Sequence, residues 1–143
     1  SNQMSILGSK LLLDSLKLIK NKKVNFIEQN HSRATYANKI EKFETQISWN
    51  EEAEKIIAKI NAFNPRPGCW FSFFKSRIKI IKAKEIINSG EPGTILDNKF
   101  TIACSKNAIQ ILELKKEGKQ KITTEEFLRG HKIKIGQKLT KDV

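Results

Sequence analysis

The sequence predicts a mainly β domain with flanking helices, built as a small open β-barrel preceded by an N-terminal helix and a linker. Three observations carry this. A capped helical pattern gives way, at Pro65-Arg66-Pro67-Gly68, to segments of period two. Five short strand patterns then follow at close spacing, separated by turn residues. The second of them slips phase at Ile80-Ile81. A one-residue slip in an alternating strand is the mark of a β-bulge, and bulges bend strands toward a barrel.

Ser5 to Lys23 places Leu7, Leu11, Leu12, Leu16, Leu18 and Ile19 on one side of an amphipathic helix. Its lysines gather at the C-terminal end, where they suit the negative pole of the helix dipole. So wide an apolar face needs a partner, and at the start of a small domain it points to something upstream. Val24 to Ile47 is polar and weakly periodic, a connector with a short extended piece at Val24–Ile27. The next segment, Ser48 to Phe63, is a helix. Ser48-Trp49-Asn50-Glu51 has the form of a capping box, with Asn50 as the alternative cap and Glu51, Glu52 and Glu54 in the first turn. Ala53, Ile56, Ile57, Ile60 and Phe63 recur at helical spacing and face a core. Pro65 disfavours helical geometry at Asn64 and ends the helix.

Cys69 to Phe74 is the first strand. Arg77 to Ile87 is the second, with Ile78 and Ile80 inward and Arg77 and Lys79 outward. After the slip Lys82 and Lys84 face out and Ala83 faces in. Ser89 to Leu96 is turn chemistry leading into a strand, with Gly90, Pro92 and Gly93. Lys99–Cys104 and Ala108–Lys116 are two more strands, joined by Ser105-Lys106-Asn107. A short helix follows from Thr123 to Gly130, opened by a second capping box, Thr123 with Glu126. His131 to Thr140 is a basic tail broken only by Gly136.

Charge is the strongest compositional signal. The 143 residues carry 27 Lys and Arg against 15 Asp and Glu, for a net +12. The excess is concentrated: residues 66–121 hold 12 basic and 5 acidic side chains. Such a field attracts polyanions, nucleic acid above all, in a salt-dependent way; a solvated lysine surface is the plain alternative. No apolar run approaches the roughly 20 residues that span a bilayer. Cys69 and Cys104 have no CxxC spacing and no histidine neighbours, so they read as free core thiols of a reducing cytoplasm, with neither disulfide nor metal site. His31 and His131 lack a nearby acid to orient them as general bases.

The order of pieces resembles the C-terminal domain of the methionyl-tRNA formyltransferases. That family has an "aFNPxPgawf" joint, a "vKiwkA" strand, a "PGtil" turn, a "Gk…fxxG" block and a final Gly-x-x-Leu. The matching pieces here are Phe63 to Gly68, Lys79 to Ala83, Pro92 to Leu96, Gly118-Lys119, Phe127 to Gly130, and Gly136 with Leu139. Six pieces in order are specific where each alone is common. Upstream, Leu11 to Ile19 is similar to the last helix of the family's catalytic domain, and Gln29 to Ile40 to its linker. The chain departs from the pattern at Lys116-Glu117, where the family carries Gln-Pro, so no role of that pair is carried over.

The resemblance implies an OB-like form for the barrel. It also implies three regions: residues 1–28 as the terminal helix of a missing N-terminal catalytic domain, 29–47 as linker, and 48–143 as the tRNA-binding barrel. The parent would be a bacterial-type cytoplasmic transferase of translation initiation, moving a formyl group from 10-formyltetrahydrofolate to methionine on initiator tRNA. The family's Asn, His and Asp catalytic set is absent, which implies a non-catalytic fragment that needs no cofactor or metal of its own. Its partners would be initiator methionyl-tRNA and the catalytic domain, with no membrane. The candidate RNA contacts are Arg66, Lys75, Arg77, Lys79, Lys82, Lys84, Lys115, Lys116, Lys119 and Lys121. Phe63, Trp70, Phe71 and Phe73 read as core or joint packing, with base stacking the alternative. Three rivals stand: the corresponding domain of a sugar-nucleotide formyltransferase, a free-standing oligonucleotide-binding module, and a structural linker domain whose charge is incidental.

Overall fold

The computed structural model describes residues 2–139; Ser1 and Thr140, the last residue of the predicted tail, lie outside them. It divides the chain into two units, Ser1–Asn38 and Lys39–Val143. In the first unit, helix α1 runs Asn2–Lys20, three residues earlier than predicted at each end, and buries none of its residues. Leu7, Leu11, Leu12 and Leu16 all stand exposed. A short 3-10 turn at His31–Arg33 is capped by Asn30, whose Oδ1 accepts from Ser32 N at 3.0 Å and Ser32 Oγ at 2.6 Å.

In the second unit a 3-10 turn (Lys42–Thr45) leads to helix α2, Ala53–Phe63. Strands β1 (Trp70–Phe73), β2 (Ser76–Ile86), β3 (Thr101–Ala103), β4 (Ala108–Lys116) and β5 (Lys121–Thr123) follow, then helix α3 (Thr124–Gly130). The sheet is antiparallel in the order β1-β2-β4-β3. Strand β5 pairs with Glu113–Lys115 of β4, beyond the Ala108–Gln110 stretch that pairs with β3. The predicted class therefore holds: mainly β with flanking helices and an open sheet. The pairing pattern alone does not make it OB-like. Among the described residues, no helix is long and apolar enough to cross a membrane.

Three elements differ from the sequence reading. Helix α2 starts at Ala53 rather than Ser48, and its N-cap Glu52 makes no side-chain capping bond. The backbone there bonds elsewhere: Glu51 N donates to Ser48 O at 3.1 Å to close a turn, Glu51 O accepts from Ser105 N and Ala53 N donates to Lys106 O, both at 3.1 Å, while the Trp49 ring packs edge-on against Phe71 at 5.5 Å. Thr94–Leu96 is not a full strand: it makes single bridges, Thr94 to Lys138 and Ile95 to Ile102. Gly93, at φ +86°, is where the C-terminal segment crosses; a Cβ there would lie 3.3 Å from both Leu139 O and Trp49. The fifth strand is instead β5, three residues too short to show a period. The capping box of α3 forms as predicted, Glu126 N donating to Thr123 Oγ1 at 3.2 Å and Thr123 N to Glu126 Oε2 at 2.8 Å.

The core lies between α2 and the sheet and continues under α3. Ile56 and Ile60 of α2, Ile78 and Ile80 of β2, and Leu114 of β4 are buried, along with Phe71, Phe73, Phe100 and Phe127. Those four rings form one cluster with centroids 5.4–6.4 Å apart. Such burial stabilises by about 1.5–3 kcal/mol per large side chain. Cys69 and Cys104 are buried too, and burial pushes both thiols up to about 11, which keeps them protonated and inert at neutral pH.

The predicted phase slip is real. Ile80 pairs with Leu114, Lys82 with Glu113 and Ala83 with Ile111, so Ile81 is the extra residue of a bulge. A bulge leaves a backbone group without a ladder partner, and here Asn64 supplies one: its Nδ2 donates to Ile81 O at 2.6 Å. The joint between α2 and β1 is thereby tied to the bend of β2. Gly68 N donates to Phe63 O at 2.9 Å and closes the joint; both its X-Pro bonds are cis. Asn64→Ala should destabilise the domain by about 1–3 kcal/mol, because the Ile81 carbonyl loses its donor. Urea denaturation beside Asn61→Ala, an exposed position on the same helix, checks this.

Candidate nucleic-acid interface

In an antiparallel sheet, residues directly opposite one another project to the same face. The register therefore sorts the basic side chains. Trp70 of β1 opposes Lys79 of β2, Lys79 opposes Lys115 of β4, and Lys115 opposes Lys121 of β5. One row across four strands thus carries an aromatic ring and three lysines. Arg77, two residues before Lys79, shares that face and lays its guanidinium 4.6 Å from the centre of the Trp70 ring. Past the bulge, Lys82 opposes Glu113 and joins the same face.

Glu113 is the acid within this group. Lys121 Nζ donates to Glu113 Oε2 at 2.7 Å. That hydrogen bond above all, helped by the Lys121 and Lys82 charges, holds the Glu113 carboxyl below its usual range against the opposing desolvation. Both partners are partly exposed, so the pair adds little to stability. It serves to fix where Lys121 points. One carboxylate cannot neutralise Arg77, Lys79, Lys82, Lys115 and Lys121, and the face stays positive.

A cleft of about 190 Å³ opens beside the row, lined by Lys42, Thr45, Trp70, Arg77, Lys79 and Glu117. Lys79 has a structural task there. Its Nζ donates to Pro67 O at 2.8 Å, and its stem packs at Gly68, where a Cβ would meet Lys79 Cδ at 3.4 Å. The aliphatic stem braces the joint while the ammonium still adds to the field.

The other predicted basic residues are distributed differently. Lys84, two residues past Lys82 and opposite Gln110, keeps to the same face farther along β2, whereas Lys116 opposes the buried Ile78 and leaves the row for the other side of the pleat. Lys75 lies in the β1–β2 turn and Lys119 in the β4–β5 turn, each exposed. Arg66 is exposed in the joint. Sequence reasoning placed Trp70 in packing and left Lys42 in a connector; only the register and the fold of the joint bring both to this face. Phe71 and Phe73 are core residues, and Phe63 and Trp70 are half-buried. Among the described residues, no group of three His, Cys, Asp or Glu is placed to hold a metal.

Comparison with known proteins identifies the family. Residues 39–132 match the family described as formyl transferase, C-terminal domain. The chain is 40% identical over 141 residues to methionyl-tRNA formyltransferase of Pelagibacter ubique (strain HTCC1062), covering 98% of this chain and 46% of that protein. It is also 40% identical over 136 residues to the enzyme of that name from Rickettsia prowazekii (strain Madrid E), covering 93% and 44%. The chain thus spans about half the length of the curated relatives it matches. Among solved structures, HypX from Aquifex aeolicus in complex with tetrahydrofolic acid is similar with a TM-score of 0.64 at 17% identity, over 83% of this chain and 22% of that one. That likeness is one of fold.

The double use of Lys79 separates it from its neighbours. At high salt, where surface repulsion is screened, Lys79→Met should lower stability by about 1 kcal/mol through the lost bond to Pro67. Lys82→Met, exposed and making no such bond, should stay within about 0.5 kcal/mol of wild type. Chemical denaturation of both variants checks this.

Proposed function

The chain belongs to the formyl transferase C-terminal domain family, and from that premise we propose that it is the tRNA-binding part of a methionyl-tRNA formyltransferase. The single observation that carries the reading is the cationic row of Lys79, Lys115 and Lys121, with Arg77 and Lys82 beside it. Phosphates at their spacing along a nucleic-acid backbone would meet these side chains, which position RNA without reading its sequence. Lys75, Lys119 and Arg66 extend the positive edge, Lys84 continues the face past Lys82, and Lys116 adds to the general field. A domain serving a small sugar-nucleotide substrate has no need of such a row.

In this reading the parent is a cytoplasmic enzyme of translation initiation that formylates methionine on initiator tRNA. Residues 1–28 are the terminal helix of its catalytic domain, 29–47 the linker, and 48–143 the domain that steadies the tRNA. The exposed leucines of α1 support the first of these assignments. The formyl donor, 10-formyltetrahydrofolate, belongs to the catalytic domain. The residues present do not fit it: every buried polar side-chain atom among those described already has a hydrogen-bond partner, so no donor set waits for a pterin.

Fluorescence anisotropy with initiator tRNA across a salt series tests the proposal. Affinity should fall steeply between low and physiological salt, and Lys115→Ala with Lys121→Ala should flatten the log–log slope by about 1 per lysine. An affinity independent of salt would overturn it.

A further inference from the structure

The β1–β2 hairpin turns on Phe74 and Lys75, at φ +47° and +54°. Two successive positive φ values are what a two-residue hairpin needs, and Asn-Gly or Asp-Gly ordinarily supplies them. A bulky Phe in that conformation is an outlier that costs stability, and such outliers gather at functional sites. The ring does not return that cost by burial, since Phe74 stays 52% exposed.

What surrounds it is aromatic and positive. Phe74 stands 4.3 Å from the Phe73 ring and 6.0 Å from His131. His131 in turn stacks on Phe127 at 4.2 Å and 7°, and Phe127 on Phe100 at 5.9 Å and 8°. His131 Nδ1 donates to Phe127 O at 3.1 Å, which fixes the imidazole on top of this column. The exposed ring thus borders an ordered stack that rises out of the core. Lys75 is its neighbour in the turn, and Lys132 follows His131; both are exposed. The hairpin tip also lies at the end of the sheet where β4 turns into β5. Ile78 pairs with Lys116, and Lys115 with Lys121, so the turn carrying Lys119 is at that same end.

We propose that Phe74, beside His131, is a stacking platform for an unpaired nucleobase of the RNA whose phosphates lie on the cationic row. The proposal rests on the reading of that row as an RNA surface and adds a requirement for a single-stranded or splayed-out base. An aromatic ring next to fixed cations is the usual arrangement by which proteins hold unpaired bases, and it tolerates any base because each has a π face. The imidazole, 6.0 Å away and tilted 32°, leaves no slot between the two rings and backs Phe74 from the core side, so the base stacks on the exposed ring of Phe74. A second copy of this chain is the competing occupant.

Phe74→Asn isolates the effect, since Asn accepts positive φ. The variant should unfold at the same temperature as wild type or higher, so a failure to fold does not confuse the result. The probes are an RNA duplex with a 2-aminopurine-containing single-stranded overhang and a blunt duplex of the same charge. Wild type should quench 2-aminopurine on binding. Phe74→Asn should lose that quenching and bind the overhang RNA roughly fivefold or more weakly, with blunt-duplex affinity and salt slope unchanged. Phe74→Tyr should restore both. Equal losses on both RNAs, no loss on either, or a change confined to self-association would overturn the platform while the basic face stands. Wild type binding neither RNA would overturn both.

Discussion

Like charges placed opposite one another on neighbouring strands repel, and the register of this sheet puts Lys79, Lys115 and Lys121 side by side. That arrangement is the constraint around which the domain is built. It persists because the register cannot relax. Slipping β2 by one residue would turn Ile78 and Ile80 to solvent and the lysines to the core. The bulge at Ile81 is pinned by the Asn64 amide, and Lys79 itself is tethered to the Pro67 carbonyl. The proline joint is therefore more than a turn between helix and sheet. It braces the bent strand whose outer side carries the charge.

The division of labour across the two faces follows. Inward, Ile78, Ile80 and Leu114 join α2 and the four phenylalanines in an apolar core that supplies the stability. Outward, Trp70, Arg77 and the lysine row supply field and contact. Glu113 moderates the row and orients Lys121 without neutralising it. Surfaces that hold uncompensated charge trade stability for association, as sites that must bind a polyanion do.

Much of the fold was legible because its signals are local. The switch from helical to alternating spacing after Pro65, the slip at Ile80-Ile81 and the Thr123–Glu126 box each depend on neighbours within a few residues. The false helix start at Ser48 arose because Glu51 O and Ala53 N are bonded to Ser105 and Lys106, more than fifty residues away, partners that no local capping motif reveals. Strand β5 was hidden by its length. The candidate site was legible in its residue types but not in its grouping. Lys79, Lys115 and Lys121 meet only through strand register, Lys116 leaves by the same rule, and Trp70 enters it. Their positions along the chain do not show which strands stand side by side.

The most direct test of the account is to remove the middle charge of the row while watching stability and binding together. Lys115→Gln should raise the melting temperature of the free chain at low ionic strength, by an amount matching a few tenths to about 1 kcal/mol. The gain should vanish in high salt, and affinity for RNA should fall. A variant no more stable at low salt than wild type, or one that binds RNA as tightly, would contradict the claim that this repulsion is retained to hold phosphate.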